Sequence, residues 1–278
     1  MGGKSRRIQP LISGQDLKDA FEKLEGPEEP PKAHTWPRYL WDIRRHVREG
    51  DPNDFLTWST LHATMFVGSG AYFVADELKA LEADDWDRWK LAIEEPWIGK
   101  PEPMPGPYQF TTGNMIHQAY HLLQFEQMAG VQVQDLDRIV EFGGGYGALA
   151  WIVRGLGFLG EYLIYDNPEM SLIQQFYLSQ ADIDADYSVT NGRTFDPPGQ
   201  ADLLFAAYSI SEVPEELRLA FLGDTDFNHY FFVHQNIYQE IMLKPVFDEF
   251  AKSRPDKEWT DRKSPVHRHR YLLGKPIE

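Results

Sequence analysis

The sequence predicts an α/β fold, a largely parallel sheet with helices on both faces, preceded by a helical N-terminal region. Two observations carry that expectation. From Arg138 onward, short apolar runs alternate with runs of helical periodicity, as strand–helix–strand units require. At the head of this series Arg138-Ile-Val-Glu-Phe142 leads into Gly143-Gly-Gly-Tyr-Gly147 and then Ala148-Leu-Ala150. That is a strand, a tight turn and a helix start, in the form that brings backbone N–H groups up to a ligand.

The elements follow in order. Residues 1–13 are basic and polar, and Asp16 to Leu24 reads as a short helix ended by Gly26-Pro-Glu-Glu-Pro-Pro31. Helical periodicity runs from Trp36 to about Lys90, with Leu40, Ile43 and Val47 on one stripe and Phe55, Trp58, Leu61, Met65 and Phe66 on another. A third run spans Ala75 to Ile93, and Pro96 to Pro107 is an irregular connection. The expected division is a helical cap or substrate region at 1–107 and a sheet domain at 108–278. Trp36, Trp41, Trp58, Trp86, Trp89 and Trp97 all fall in the former; such aromatics can stack on sugar rings in a substrate cap, but the favoured reading is that they join small helices into a core. Thr112 to Ala129 reads as a helix with Met115, Ala119, Leu122 and Phe125 on one face and Gly130 as its stop.

Beyond the glycine turn, a helix from Ala148 to Leu156 ends at Gly157, and Glu161-Tyr-Leu-Ile-Tyr-Asp166 is the second strand. Asn167 then caps a helix that has Pro168 at its first position. Tyr187 to Thr190 is a third strand running into Asn191-Gly192, and Ala201 to Ala207 a fourth, apolar enough to be buried on both faces. Ser209-Ile-Ser-Glu-Val-Pro214 follows it, then a helix to about Leu222 and a fifth strand from Tyr230 to Asn236. A helix from about Gln239 to Ala251, interrupted at Pro245, and two closing strands within Glu258 to Lys275 complete the chain.

The glycines alone admit two ligand classes. Gly143, Gly145 and Ala148 fit the G-x-G-x-x-A of a dinucleotide site, but Glu141 stands two residues ahead and would repel a pyrophosphate. The resulting E-x-G-x-G-x-G, through Gly147, resembles the first motif of class I S-adenosylmethionine-dependent methyltransferases. The resemblance implies a Rossmann-like sheet and S-adenosylmethionine as cofactor. Glu141 would then lie near its amino-acid end, with Gly143, Gly144, Gly145, Tyr146 and Gly147 beneath it. Asp166, 25 residues after Glu141, is placed to accept from ribose hydroxyls, with Asn167 beside it. Asn191 falls where this class often meets the adenine. A helix before the first strand commonly lies over the cofactor, which makes Asn114 and His117 candidates.

The match extends further. Glu141 to Gly147, Tyr165-Asp-Asn-Pro-Glu169 with Gln174 to Leu178, and Ser209 to Pro214 resemble bacterial proteins assigned as sugar O-methyltransferases. The resemblance covers about residues 110–236 and departs at Asn167, where leucine is usual. It implies methyl transfer to a hydroxyl of a sugar or another small molecule. Such a hydroxyl needs a base, and His234 and Glu212 are the leading candidates because both follow parallel strands on the carboxyl side, with His117 third. Two other readings stay open: transfer to a different acceptor (a natural-product hydroxyl, an amine, a protein side chain), and a non-catalytic module that keeps the cofactor fold.

Composition narrows the partners. A formal charge of −16 disfavours nucleic acid as substrate. The absence of cysteine removes disulfides, thiolate metal sites and cysteine nucleophiles. His267 and His269 alternate without an acid close in sequence, and Asp182, Asp184 and Asp186 lack a calcium-loop pattern, so no metal site is expected. No apolar stretch approaches the ~20 residues of a membrane helix. The basic start, Met1-Gly-Gly-Lys-Ser-Arg-Arg7, has neither the apolar region of a secretory signal nor the Ser or Thr of a myristoylation site. The expected location is cytoplasmic. Nothing in the sequence specifies an oligomeric state.

Overall fold

The computed structural model describes residues 11–277 except 28, 33, 34, 182, 184, 190–198, 224, 225, 239 and 240. Its apolar runs pair into one seven-stranded sheet, in the order β3-β2-β1-β4-β5-β9-β8. These strands are β1 (Arg138–Phe142), β2 (Glu161–Asp166), β3 (Asp186–Val189), β4 (Ala201–Ala207), β5 (Phe227–Gln235), β8 (Lys257–Lys263) and β9 (His269–Pro276). β1 to β5 are parallel, β9 runs antiparallel to β5, and β8 antiparallel to β9. β6 (Ile237–Tyr238) and β7 (Ile241–Met242) form a separate short ribbon. Strand order reverses between β1 and β4, and in open parallel sheets the crevice at the carboxyl ends of such a pair is where ligands bind.

The chain divides into two compact units. One comprises Tyr120–Gly144, Leu156–Asn167 and Asp186–Glu278, and contains the whole sheet. Strand periodicity sorts its side chains onto two faces. Val140, Phe142, Leu204, Phe232 and Leu272 share one face with Phe221 of α9 (Glu215–Gly223) and Phe247 of α10 (Leu243–Ser253). Phe205, Phe231 and Tyr271 lie on the other, where Phe125 from the last part of α6 (Gly113–Ala129) stacks edge-on against Phe231 at 5.7 Å. Each buried phenylalanine contributes roughly 1.5–3 kcal/mol.

The other unit comprises Met1–Ala119, Gly145–Gly155 and Pro168–Ala185. It carries α1 (Gly14–Glu22), α2 (Trp36–Glu49), α3 (Ser59–Thr64), α4 (Val74–Ala83), α5 (Trp86–Ala92), the start of α6, α7 (Ala148–Gly155) and α8 (Pro168–Gln180). Phe55 is its hub, with edge-on contacts to Tyr146, Phe176 and Tyr177 at 6.0–6.1 Å. Trp58 and Trp89 are buried in this unit, whereas Trp97 is 45% exposed. An ion pair of 2.6 Å between Arg44 and the buried Glu169 ties α2 to α8.

Several elements differ from the sequence expectation: β5 starts three residues early, and α10 starts at Leu243, after β7, not at Gln239. α10 is unbroken, because Pro245 falls in its first turn, where the missing N–H has no intrahelical partner to lose. α1 starts two residues early because Ser13 and Asp16 form a capping box, each side chain accepting from the other's backbone N–H. Among the described residues no helix is long and apolar enough to cross a membrane.

Candidate active site

The carboxyl edge of the sheet is built on β1. Glu141 faces away from Val140 and Phe142 and is buried, with the Tyr162 hydroxyl of β2 donating to it at 2.8 Å. Burial, with a smaller contribution from the negative charge of Asp166, pushes the Glu141 carboxyl up to about 8 against the pull of that hydrogen bond. Asp166 ends β2, also buried, and accepts from the Asn167 N–H at 2.8 Å.

Gly143 leaves β1 at φ 77°, with its N–H donating to the Tyr165 carbonyl at 2.7 Å. A Cβ here would run into Ser209, whose hydroxyl donates to the Phe142 carbonyl. The start of the turn is thus closed against the exit of β4. Gly144 ends the first segment of the sheet unit.

Gly145, Tyr146 and Gly147 belong to the other unit. The Gly145 carbonyl accepts from Gln174 at 2.9 Å, and Gly147, at φ 103°, packs on Leu178. Asn114 donates to the buried Tyr146 hydroxyl at 2.9 Å and accepts from the Val67 N–H, so both side chains hold the turn in place. Nearby, Glu95 is buried and accepts from Thr112, which also caps α6, and from Tyr177. Burial pushes the Glu95 carboxyl up to about 7, against both hydrogen bonds. His117 pairs with Glu77 of α4 at 2.9 Å, both side chains buried.

At the end of β4, Tyr208 adopts φ 65° and ψ −31°, a conformation costing on the order of 1–3 kcal/mol for a non-glycine residue. Its N–H donates to the Val233 carbonyl at 2.7 Å, and its hydroxyl lies 3.1 Å from Nδ1 of His269. Glu212 follows, half-buried, accepting from Gln235 of β5 at 3.4 Å. His234 is buried and stacks on Phe247 at 4.2 Å; the Gln235 carbonyl 3.0 Å from its Nδ1 assigns the ring proton to that nitrogen. Burial lowers its basicity. Strand alternation puts His234 with Phe232 on the face of α10, while Glu141 pairs in register through Phe205 and Phe231 to the opposite face.

The sheet unit therefore brings together Glu141, Gly143, Asp166, Glu212 and the Tyr208–His269 pair at one edge, with His234 on the far face. His117, Asn114 and Tyr146 are committed to contacts inside the other unit. Asn191 lies outside the described residues. Sequence reasoning missed Tyr208, His269, Glu77 and Glu95. His269 stood in an alternating His-Arg-His-Arg run that was weighed for metal, but its partner is 61 residues away.

No family model matches this sequence, and no curated protein does. Among solved structures, the chain is similar to a SAM-dependent methyltransferase from Aquifex aeolicus (12% identity, 73% of this chain and 99% of that one, TM-score 0.45). It is also similar to the N-terminal domain of EvdMO1 in the presence of SAH and D-fucose (14%, 70% and 97%, TM-score 0.46). A third is the 16S rRNA methylase RmtB (12%, 97% and 100%, TM-score 0.44). At these values the likenesses say nothing about activity, and the fold described above rests on strand order and register in this chain.

Two outcomes are expected. In the unfolded chain Glu95 and Glu141 ionise near 4.5, so between about 4.5 and 8 the folded state holds protons that the unfolded chain has lost. Stability contributed by these groups is full below 4.5 and is lost as pH rises through that window. Melting temperatures of the wild type should fall from about pH 5.5 to about pH 8.5, and the fall should shrink in Glu141→Gln and Glu95→Gln. Gly143→Ala should cost about 2–4 kcal/mol in urea unfolding, from the left-handed φ together with the overlap on Ser209.

Proposed function

We propose that the protein transfers a methyl group from S-adenosylmethionine to a hydroxyl of a sugar or another small molecule. One observation carries the cofactor: two buried carboxyl groups, Glu141 and Asp166, end adjacent strands beside a glycine turn at the point of strand reversal. That set suits a ligand with an ammonium group at one end and vicinal hydroxyls further along. A cation beside Glu141 would also offset the cost of ionising that carboxyl in its buried position.

Within this reading Glu141 faces the ammonium group, Asp166 and Asn167 hold the ribose, and Asn191 meets the adenine. Gly143 and Gly144 pass beneath, with Ser209 bonding the Phe142 carbonyl; within the other unit, Gln174 bonds the Gly145 carbonyl and Asn114 the Tyr146 hydroxyl. Bound there, the sulfonium supplies an electrophilic methyl with a neutral thioether as leaving group. The chain contributes orientation and exclusion of water, each worth large factors when reacting atoms are held close. Of the three expected bases, Glu212 alone is partly exposed; His117 pairs with Glu77, and His234 lies under α10. The sugar part of the reading is supported by the resemblance of the three motifs.

Calorimetry tests the cofactor. S-adenosylhomocysteine should bind and NAD should not; tight NAD binding with no response to S-adenosylhomocysteine would overturn the reading. Asp166→Ala should weaken S-adenosylhomocysteine by ~1.5–3 kcal/mol, the loss of hydrogen bonds to a charged group. Unchanged affinity in a folded Asp166→Ala protein would return Asp166 to a turn-capping role.

A further inference from the structure

We propose that Tyr208 and His269 form the pair that accepts the proton of the methyl acceptor, an inference that rests on the transfer reaction proposed above. Three independent features of the sheet unit converge on these two residues. The first is position. β9 runs antiparallel to its neighbour, so its first residue, His269, lies at the carboxyl edge of the parallel strands, opposite Gln235 in register. Tyr208 leaves β4 at the same edge, beside the point of strand reversal.

The second is the face. Gln235, Val233 and Phe231 share one side of β5, and register carries that side through Phe205 to Glu141. His269 and Tyr271, paired with Gln235 and Val233, are on it too. The cofactor carboxylate and the pair thus occupy one face.

The third is strain. Among the described residues four non-glycines have left-handed φ, and two of them converge here: Tyr208 at 65° and Arg268, next to His269, at 64°. Backbone held in such a conformation at a ligand edge marks side chains whose aim matters. Around them, the His269 N–H donates to Val266, and the buried His121 lies edge-on to the Tyr208 ring at 5.9 Å while bonding Tyr271 at 3.0 Å. The Tyr208 phenol is therefore fixed between two imidazoles, one of them at hydrogen-bond distance.

The step balances without further reagents. A lone pair of the acceptor oxygen forms the new C–O bond, and the methyl–sulfur bond breaks with its electrons left on sulfur. The hydroxyl proton goes to Oη of Tyr208 while the phenolic proton passes to Nδ1 of His269. The resulting imidazolium then loses a proton to solvent. Tyr208 is the catalytic residue; His269 acts through it.

The first test needs no turnover. With the phenol donating to Nδ1, neutral His269 must carry its proton on Nε2, and ¹⁵N spectra of the full chain should show that tautomer. Tyr208→Phe should release it to a mixture. A protonated Nδ1 in the neutral wild-type ring would overturn the assignment. The second test follows tritium from methyl-labelled S-adenosylmethionine into a pool of methyl glycosides, nucleotide sugars and catechols. Tyr208→Phe and His269→Gln should each lower incorporation by ~10²-fold or more, the contribution of a positioned base, while S-adenosylhomocysteine affinity stays within about twofold. Should Tyr208→Phe fail to fold, His269→Asn carries the same expectation. Incorporation within about threefold of wild type in folded variants would overturn the pair and leave the methyltransferase reading standing. If the wild type binds S-adenosylhomocysteine yet labels nothing, the transfer reading fails, and the pair's role with it.

Discussion

The contact on which the edge of the sheet depends is the closure between β1 and β4. Gly143 turns out of β1 with no room for a side chain, because Ser209 fills that space and bonds the Phe142 carbonyl. Strand order reverses at this point, and the contact joins the exits of the two strands on either side of it. Tyr208, one residue before Ser209, inherits its left-handed backbone from the same sharp exit. The aim of the Tyr208 ring and the path of the glycine turn are thus set by one local geometry.

A second constraint is the burial of carboxyl groups in both units. Glu141 in the sheet unit and Glu95 in the helical one are each satisfied by hydroxyl donors, not by cations. Burial holds each carboxyl in its neutral form against the pull of its hydroxyl donors, so the group ionises only when a positive charge arrives or the pH climbs. Glu77, by contrast, is buried against His117, a partner that can itself carry charge. These three buried acids are therefore solvated in two different ways, and of the three only Glu141 lies on a strand of the sheet.

Local features were legible in the sequence and distant pairings were not. The apolar runs of β1, β2, β4 and β5, the cap at Asn167-Pro168 and the Gly130 stop are written in neighbouring residues, and each appears within three residues of its expected place. Pro245 misled because the same residue breaks a helix interior and suits a first turn, and only the true start at Leu243 decides between them. His234 misled more deeply: position at a strand end was legible, but the face was not, since that depends on register with β4 and β9. Glu77 with His117, and Tyr208 with His269, are 40 and 61 residues apart, and no periodicity links them.

The antiparallel direction of β9 has a further meaning for how this edge can diversify. A parallel closing strand would have brought its amino end to the opposite side of the sheet, and the loop before it would have been chemically silent. Reversal instead delivers the loop at Ser264–Arg268 and the head of β9 to the carboxyl edge of the parallel strands, where the cofactor is proposed to bind. The side chains proposed for the cofactor come from β1 and β2, whereas His269 comes from the last strand. Under the proposed reading, changes confined to the C-terminal hairpin alter the proton-accepting side while the glycine turn and its carboxyls are left untouched. The hairpin is the natural place to look when chains with the same first half prefer different acceptors.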